Sequence, residues 1–345
     1  MKPVFIMSSE RSGSNLIREM LNAHQNISAP PAIQMPRILA SYLPYYGDLR
    51  SDDKIKRIIE DALALNQAYP SPLDVQTSVD EIISVLPERT IWGVISTIYA
   101  SHAKFHGKSC WVSKDNNLFE HAFAIKQTLP DARFIYLVRD GRDYASSMLR
   151  VGISSTHIYG IAKQWKKEQL ACLKVFFSMG KDSVYLLRYE DLLADPSSTL
   201  QSVCEFLDEP FDAAMLNFHD QDTAKLLASQ SAFWENLSKP VLSTNTGKFK
   251  TELSRKQIAL FEAIAGHELI LLGYSRVTNS QIKEPPRILR VWYLVLDALT
   301  RAIKTKRLAQ SEQWRQGKKE AVVGIRAKLF SDVSPIENVK LIRYD

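Results

Sequence analysis

The stretch Phe5–Leu21, FIMSSERSGSNLIREML, sets an arginine inside a run of small polar residues between two apolar segments. Arg11 stands among Ser8, Ser9, Ser12, Gly13, Ser14 and Asn15, where a guanidinium has little packing purpose. A small-residue loop running into a helix start makes an anion site. The first N–H groups of a helix lack intrahelical acceptors, and the helix dipole favours negative charge there. A second basic–hydroxyl pair, Arg139 and Ser147, lies eight positions apart in VRDGRDYASS. An arginine at a strand tip with a serine on the following helix suits a separate phosphate. Two such sites imply a ligand phosphorylated at two places. Lys114 follows the apolar run Cys110–Ser113 and adds a cation at another strand tip.

The elements that must hold these residues follow from apolar patterning. Val4–Met7, Cys110–Ser113, Arg133–Val138 and Val184–Arg188 read as short buried strands. Leu16, Ile17, Met20 and Leu21 recur at helical spacing, predicting a helix over 15–25. Residues 33–110 read as mostly helical, with Ile55–Leu65 and Ser78–Leu86 as examples and Pro70, Pro72 and Pro87 as breaks. Phe119–Leu129 and Thr199–Leu207 read as further helices. Strands alternating with helices predict an α/β domain with a parallel sheet, whose ligands collect at the carboxyl ends of the strands. All three candidate cation sites fall at such ends. The loop SSERSGSN has neither a leading glycine nor a Lys-Ser/Thr pair after Gly13, so an ATP-binding Walker loop is a poor match.

The 345 residues are 45% hydrophobic and 24% charged, a globular composition with room for one large or two modest domains. Cys110, Cys172 and Cys204 are far apart and form no CxxC pair, which favours a reducing, cytoplasmic setting over a disulfide framework or zinc site. The residues before the serine turn are too few for a signal peptide, and no apolar run approaches a bilayer span. His102 and His106 are four apart on an expected helix, but the sequence shows no third ligand beside them, so no metal is expected. Residues 276–345 carry 15 Lys+Arg against 7 Asp+Glu, net +8, so the chain's excess of +6 belongs to this tail. A solvated helical face accounts for such charge without a nucleic-acid partner.

With these motifs in order, the chain resembles the sulfotransferases that use 3′-phosphoadenosine 5′-phosphosulfate (PAPS), in their bacterial and tyrosylprotein-type branch. The resemblance runs from about residue 3 to 274 and implies a P-loop-like parallel sheet flanked by helices. It implies that Arg11, Ser12, Gly13, Ser14 and Asn15 hold the 5′-phosphosulfate, and Arg139 and Ser147 the 3′-phosphate. Lys114, in WVSKDNN, looks like the lysine that meets the donor sulfate. LRYEDLLADP, with Arg188, Tyr189, Glu190 and Asp191, is similar to the family's YEDL segment, which also has a reading as capping or packing. LSKPVLSTNTGKFKTEL looks like the late donor-side segment and places Ser238 and Lys248 near the donor. The implied reaction is sulfuryl transfer to a hydroxyl or amine through a loose transition state, with Lys114 and Arg11 stabilising developing charge and no metal required.

The pattern departs from the family at the general base. A glutamate expected about seven residues beyond His24 is replaced by Pro31 and Ala32, and a histidine expected two residues after Lys114 by Asn116. Asp115, Glu10 and His121 are the remaining candidates, in that order, although Asp115 also suits a helix cap. The acceptor, whether small molecule, glycan or peptide, is assigned to a helical insertion over 33–110 with Tyr42, Tyr45, Tyr46, Trp92 and Tyr99. The rivals are a nucleotide or small-molecule kinase of related fold, and a non-catalytic nucleotide-binding module that has lost its base.

After residue 275 the pattern changes to a basic, amphipathic extension. RILRVWYLVLDALTRAIKTKR, within 286–307, is apolar with basic flanks. It reads as a helix docked on the domain or a second subunit, with an interfacial position on a membrane as the alternative.

Overall fold

Five parallel strands form one sheet in the order β2-β3-β1-β4-β5. The computed structural model describes residues 1–151, 155, 157–230, 234–279, 281–304 and 312–331. The strands are β1 (Lys2–Ser8), β2 (Ile27–Ser28), β3 (Cys110–Lys114), β4 (Arg133–Val138) and β5 (Val184–Arg188). Their alternation feeds both faces. Phe5, Met7, Trp111, Phe134 and Tyr136 pack on one side, and Val4, Ile6, Val112, Ile135 and Leu137 on the other. A parallel sheet covered on both faces needs such near-continuous apolar runs.

Helix α1 (Ser14–Ala23) follows β1. The segment between β2 and β3 holds α2 (Met35–Tyr46), α3 (Asp52–Gln67), α4 (Val79–Ser84) and α5 (Ile91–Phe105). Between β3 and β4, a 3₁₀ turn at Leu118–Glu120 precedes α6 (Ala122–Thr128), so the single helix expected over Phe119–Leu129 is broken. Asn117, at φ 64°, starts that turn in a left-handed conformation. Helices α7 (Gly141–Val151) and α8 (Ile158–Met179) link β4 to β5. A Cβ on Gly141 would lie 2.5 Å from the Phe261 ring and 2.8 Å from Trp165, so α7 begins where only glycine fits. Beyond β5 come α9 (Tyr189–Ala194), α10 (Pro196–Phe206), α11 (Asp222–Gln230), α12 (Phe249–Glu252) and α13 (Arg255–Leu271).

The strand register places the chemistry. Val4–Ser8 pair with Arg133–Leu137, so the loop after β1 and the Arg139 loop after β4 leave the sheet side by side. Ile6 is level with Lys114 across the β1–β3 pair, and Val138 with Arg188 across β4–β5. Arg139 and Tyr189 therefore emerge together.

The C-terminal extension packs on the domain through α14 (Arg287–Lys304) and α15 (Glu312–Ser331). On α14, Asp297 accepts hydrogen bonds from Ser155 Oγ at 2.8 Å and the His157 amide at 3.0 Å. Tyr293 stacks on the His157 ring with centroids 4.6 Å apart. On α15, Ile325 and Leu329 are buried in the main core. Of the segment expected to make a surface or subunit contact, 305–307 lie outside the described residues.

Candidate active site

The carboxyl ends of β1, β3 and β4 open into one cleft of about 1020 Å³. Glu10, Arg11, Gly13 and the first turn of α1 line its floor. Gly13 sits at φ 92°, and a Cβ there would lie 2.3 Å from Cε2 of Tyr189, so both backbone and space demand glycine. Arg11 takes φ 62° without that freedom, a strain of about 1–2 kcal/mol that the loop holds in place. No side chain caps α1. Its first N–H groups, from residues that line the cleft at Ser14 and Asn15, are placed to receive an anion.

Arg11 and Arg139 share this floor. Arg11 Nε donates to Ser147 Oγ at 3.3 Å. Arg139 donates from Nη1 to the Arg11 carbonyl at 3.1 Å and from Nη2 to the Asn245 carbonyl at 3.0 Å. The Tyr189 ring lies under the Arg139 guanidinium at 4.8 Å, and Asn245 Nδ2 donates to the Tyr189 hydroxyl at 2.7 Å. The Asp143 carboxylate accepts from the Gly247 amide at 2.6 Å and the Phe249 amide at 2.8 Å, pinning the loop that carries Asn245 and Lys248. Glu190 accepts from the Asp140 amide at 2.9 Å and the Tyr274 hydroxyl at 2.7 Å. Within the YED segment, then, Glu190 braces the Arg139 loop while Tyr189 forms cleft wall. Arg142 lies beneath, donating to Asp140 and Glu262 and packing 4.2 Å over Phe249.

The electrostatics call for a ligand of high negative charge. Burial, with Arg139 and Arg150 close by, lowers the pKa of Arg11. Arg150 and Lys248 line the same cleft. Arg139 Nε and Ser12 Oγ are buried polar atoms with no hydrogen-bond partner among the described residues. Crowding like charges and leaving buried donors unpaired both cost free energy that a bound polyanion recovers. The residues thus fit a doubly phosphorylated ligand.

At the tip of β3, burial lowers the pKa of Lys114 and the neighbouring Asp115 carboxylate opposes that shift. Asp115 is 2% exposed. Burial raises its pKa to about 6 against the pull of Lys114 and the Asn116 amide. Asp115 Oδ1 accepts from that amide at 2.9 Å, whereas Oδ2 is buried with no hydrogen-bond partner among the described residues. Asn116 Nδ2 donates to Glu10 Oε1 at 2.6 Å, so Glu10, Asp115 and Asn116 form one wall.

The structure gathers Arg11, Gly13, Ser14, Asn15, Lys114, Asp115, Arg139, Ser147 and Lys248 around the cleft. Ser12 is buried in the same loop. Ser238 is not among the lining residues. It is exposed, and its hydroxyl turns back to the Glu235 carbonyl at 2.9 Å. His121 also lies off the cleft, its ring 5.3 Å from Trp92 with its pKa lowered by burial. The aromatic residues expected at the acceptor are not cleft wall. Tyr46 donates to Asp61 at 2.7 Å and Tyr99 packs on Trp111, both in the core. Ile33, Gln34 and Tyr69 line that side instead. Arg150, Tyr189, Asn245 and, from α15, Lys318, which donates to Gln34 Oε1 at 2.5 Å, complete the surroundings. Of these Tyr189 and Asn245 stood in recognisable motifs, Asn245 without being singled out.

A third potential ligand does stand beside His102 and His106, namely Asp74. His102 Nδ1 accepts the Asp74 amide at 2.9 Å, and His106 Nε2 lies 2.8 Å from the Asp74 carboxylate, so the three form a hydrogen-bonded clasp.

A parallel sheet with cationic loops and a helix N-terminus at the ends of adjacent strands defines a class of phosphoryl- and sulfuryl-handling proteins. The model of the sulfotransferase family matches residues 3–213, and the chain belongs to that family, which makes it a transferase. Protein-tyrosine sulfotransferase A of Caenorhabditis elegans is 25% identical over 284 residues, covering 80% of this chain and 68% of its own. Protein-tyrosine sulfotransferase 1 of Danio rerio is 24% identical over 328 residues, covering 90% and 79%. The sulfotransferase domain of the Synechococcus PCC 7002 olefin synthase superposes with a TM-score of 0.54 at 23% identity, covering 76% of this chain and 94% of that one. The sulfotransferase domain from the curacin biosynthetic pathway gives 0.52 at 20% identity, covering 79% and 97%. These likenesses establish the P-loop-like fold.

Proposed function

We propose that this sulfotransferase takes its sulfuryl group from PAPS and delivers it to an acceptor hydroxyl near Asp115. The observation that carries this reading is the joined pair of Arg11 and Arg139 around an uncapped helix start, with Ser147 bridging to Arg11. PAPS, when bound, supplies an activated sulfate on a good leaving group. Residues 11–15 would hold its 5′-phosphosulfate, and Arg139 with Ser147 its 3′-phosphate. Lys248, on the loop pinned by Asp143, would close over the donor. Lys114 and Arg11 would offset charge gathering on the departing phosphate, the main requirement of a loose transition state. Asp115, with its raised pKa and unpaired Oδ2, is the group we assign to accept the acceptor's proton. Its place in the cleft wall favours an enzyme over a module that binds the donor without turnover.

The named relatives act on protein tyrosine, so a tyrosine peptide is the first acceptor to offer. We place the 33–110 segment, through Ile33, Gln34 and Tyr69, on the acceptor side. A reducing, cytoplasmic setting is supported by Cys110, Cys172 and Cys204, all buried and unpaired. The test is label transfer from ³⁵S-PAPS to a tyrosine peptide in chelator, beside phosphate transfer from ATP with Mg²⁺. Sulfate transfer without added metal is expected. Phosphate transfer alone would replace this reading with that of a kinase. Donor binding without turnover on any hydroxyl or amine offered would leave a binding module.

A further inference from the structure

Helix α14 docks by its polar side and presents its apolar side outward. Tyr293, Asp297 and their partners Ser155 and His157 form the contact with the domain. Ile288, Val291, Trp292, Val295 and Leu299 recur at helical spacing on the opposite face. All five are exposed, Ile288 at 83% and Leu299 at 59%. They form a strip about 16 Å long, since a helix rises about 1.5 Å per residue. Monomeric proteins rarely leave so continuous an apolar face in water.

We propose that this face lies on an anionic lipid surface and holds the enzyme at a membrane as a peripheral protein. The occupant is chosen by charge. Lys283 and Arg287 precede or open the helix, Arg290 follows them paired with Glu284 at 3.1 Å, and Arg301 and Lys304 end it. The single acidic residue within α14, Asp297, is 5% exposed and used up on the docked side. A second copy packed antiparallel on the strip would bring Lys283 and Arg287 against Arg301 and Lys304, with Glu284 already paired to Arg290 and Lys163, a repulsive arrangement. Anionic headgroups satisfy both basic ends at once, and Trp292 suits the interfacial depth. No helix among the described residues is long and apolar enough to cross a membrane, so the helix lies in the surface plane. This proposal does not depend on the chemistry of the cleft.

The experiment is co-sedimentation of the full chain with phosphatidylcholine vesicles, with and without phosphatidylserine, at low and high salt. Binding to the anionic vesicles alone, weakened by salt, is expected. Val295 and Leu299 are exposed and belong to neither core cluster, so Val295→Glu and Leu299→Gln should abolish binding while leaving thermal melting unchanged. Arg287→Gln should weaken it about fivefold, the worth of one basic residue near such a surface. Light scattering runs alongside. A dimer that Val295→Glu converts to monomer, without vesicle binding, would overturn the proposal in favour of a subunit contact. No sedimentation, or equal sedimentation with neutral vesicles, would overturn it as well.

Discussion

Replacing Asp115 with asparagine should raise stability while removing activity, because the two properties depend on opposite features of one carboxylate. The pKa stands at about 6 against an ordinary 3.8, so the folded state holds the proton more tightly than the unfolded chain. Below both values the group is neutral in either state and folding is indifferent to it. As pH rises from about 4 to 6 the unfolded chain ionises first, and the folded state is progressively disfavoured. Above about 6 the cost is constant, roughly 3 kcal/mol for a rise of this size. Lys114 gains from the Asp115 charge and loses that support in the variant, which offsets part of the gain. A net increase of about 1–2 kcal/mol at pH 7.5 is expected in urea unfolding, vanishing below about pH 4. Meanwhile kcat should fall about 10²–10⁴-fold, the usual share of a general base. In the wild type kcat/KM should rise about tenfold per pH unit towards a plateau above about pH 6. An Asp115→Asn protein that is less stable, fully active and unchanged in pH profile would show that Asp115 is not the base and serves only to hold the Asn116 amide.

The other predictions test the scaffold around the donor. Gly13→Ala should cost about 2–4 kcal/mol of stability, from its positive φ and its approach to the Tyr189 ring, and should weaken nucleotide binding because that ring supports Arg139. Calorimetric melting and titration read the two effects. Arg142→Met should destabilise by about 3–5 kcal/mol, since Asp140 would be left buried without its cation and Glu262 would keep only the more distant Arg276. Asp143→Ala should release the Gly247 and Phe249 amides, raising KM for the donor more than it lowers kcat, with Asp143→Asn restoring part of the loss.

Much of the cationic side of the cleft was legible because it is local in sequence. β4 and β5 have the boundaries their apolar runs predict, and Arg139 follows β4 directly while Lys114 and Arg188 end β3 and β5. Strand β2 is two residues long, too short to leave a periodic signal. Arg150 follows Ser147 by one helical turn and Asn245 lies within the late loop segment, yet neither residue type marked it as cleft wall. Ser238 fails because a match in a loop segment does not say which side chain turns inward. Tyr46 and Tyr99 carry the aromatic character of an acceptor pocket yet serve the core, since the sequence does not distinguish a buried wall from a buried centre. α14 gives the reverse lesson. Its amphipathic pattern was plain, but Asp297 and Tyr293 found partners on the domain and turned the apolar face away from it.

The central claim is that Arg139 reads a 3′-phosphate while residues 11–15 read a 5′-phosphate. It is tested most directly by titrating wild type and Arg139→Ala with 3′-phosphoadenosine 5′-phosphate and with 5′-AMP, in chelator. Wild type should prefer the bisphosphate by about a hundredfold, roughly 3 kcal/mol, and the variant should lose nearly all of that preference while its affinity for 5′-AMP changes little. Undiminished preference in a folded Arg139→Ala protein would contradict it, and so would a wild type that binds neither nucleotide.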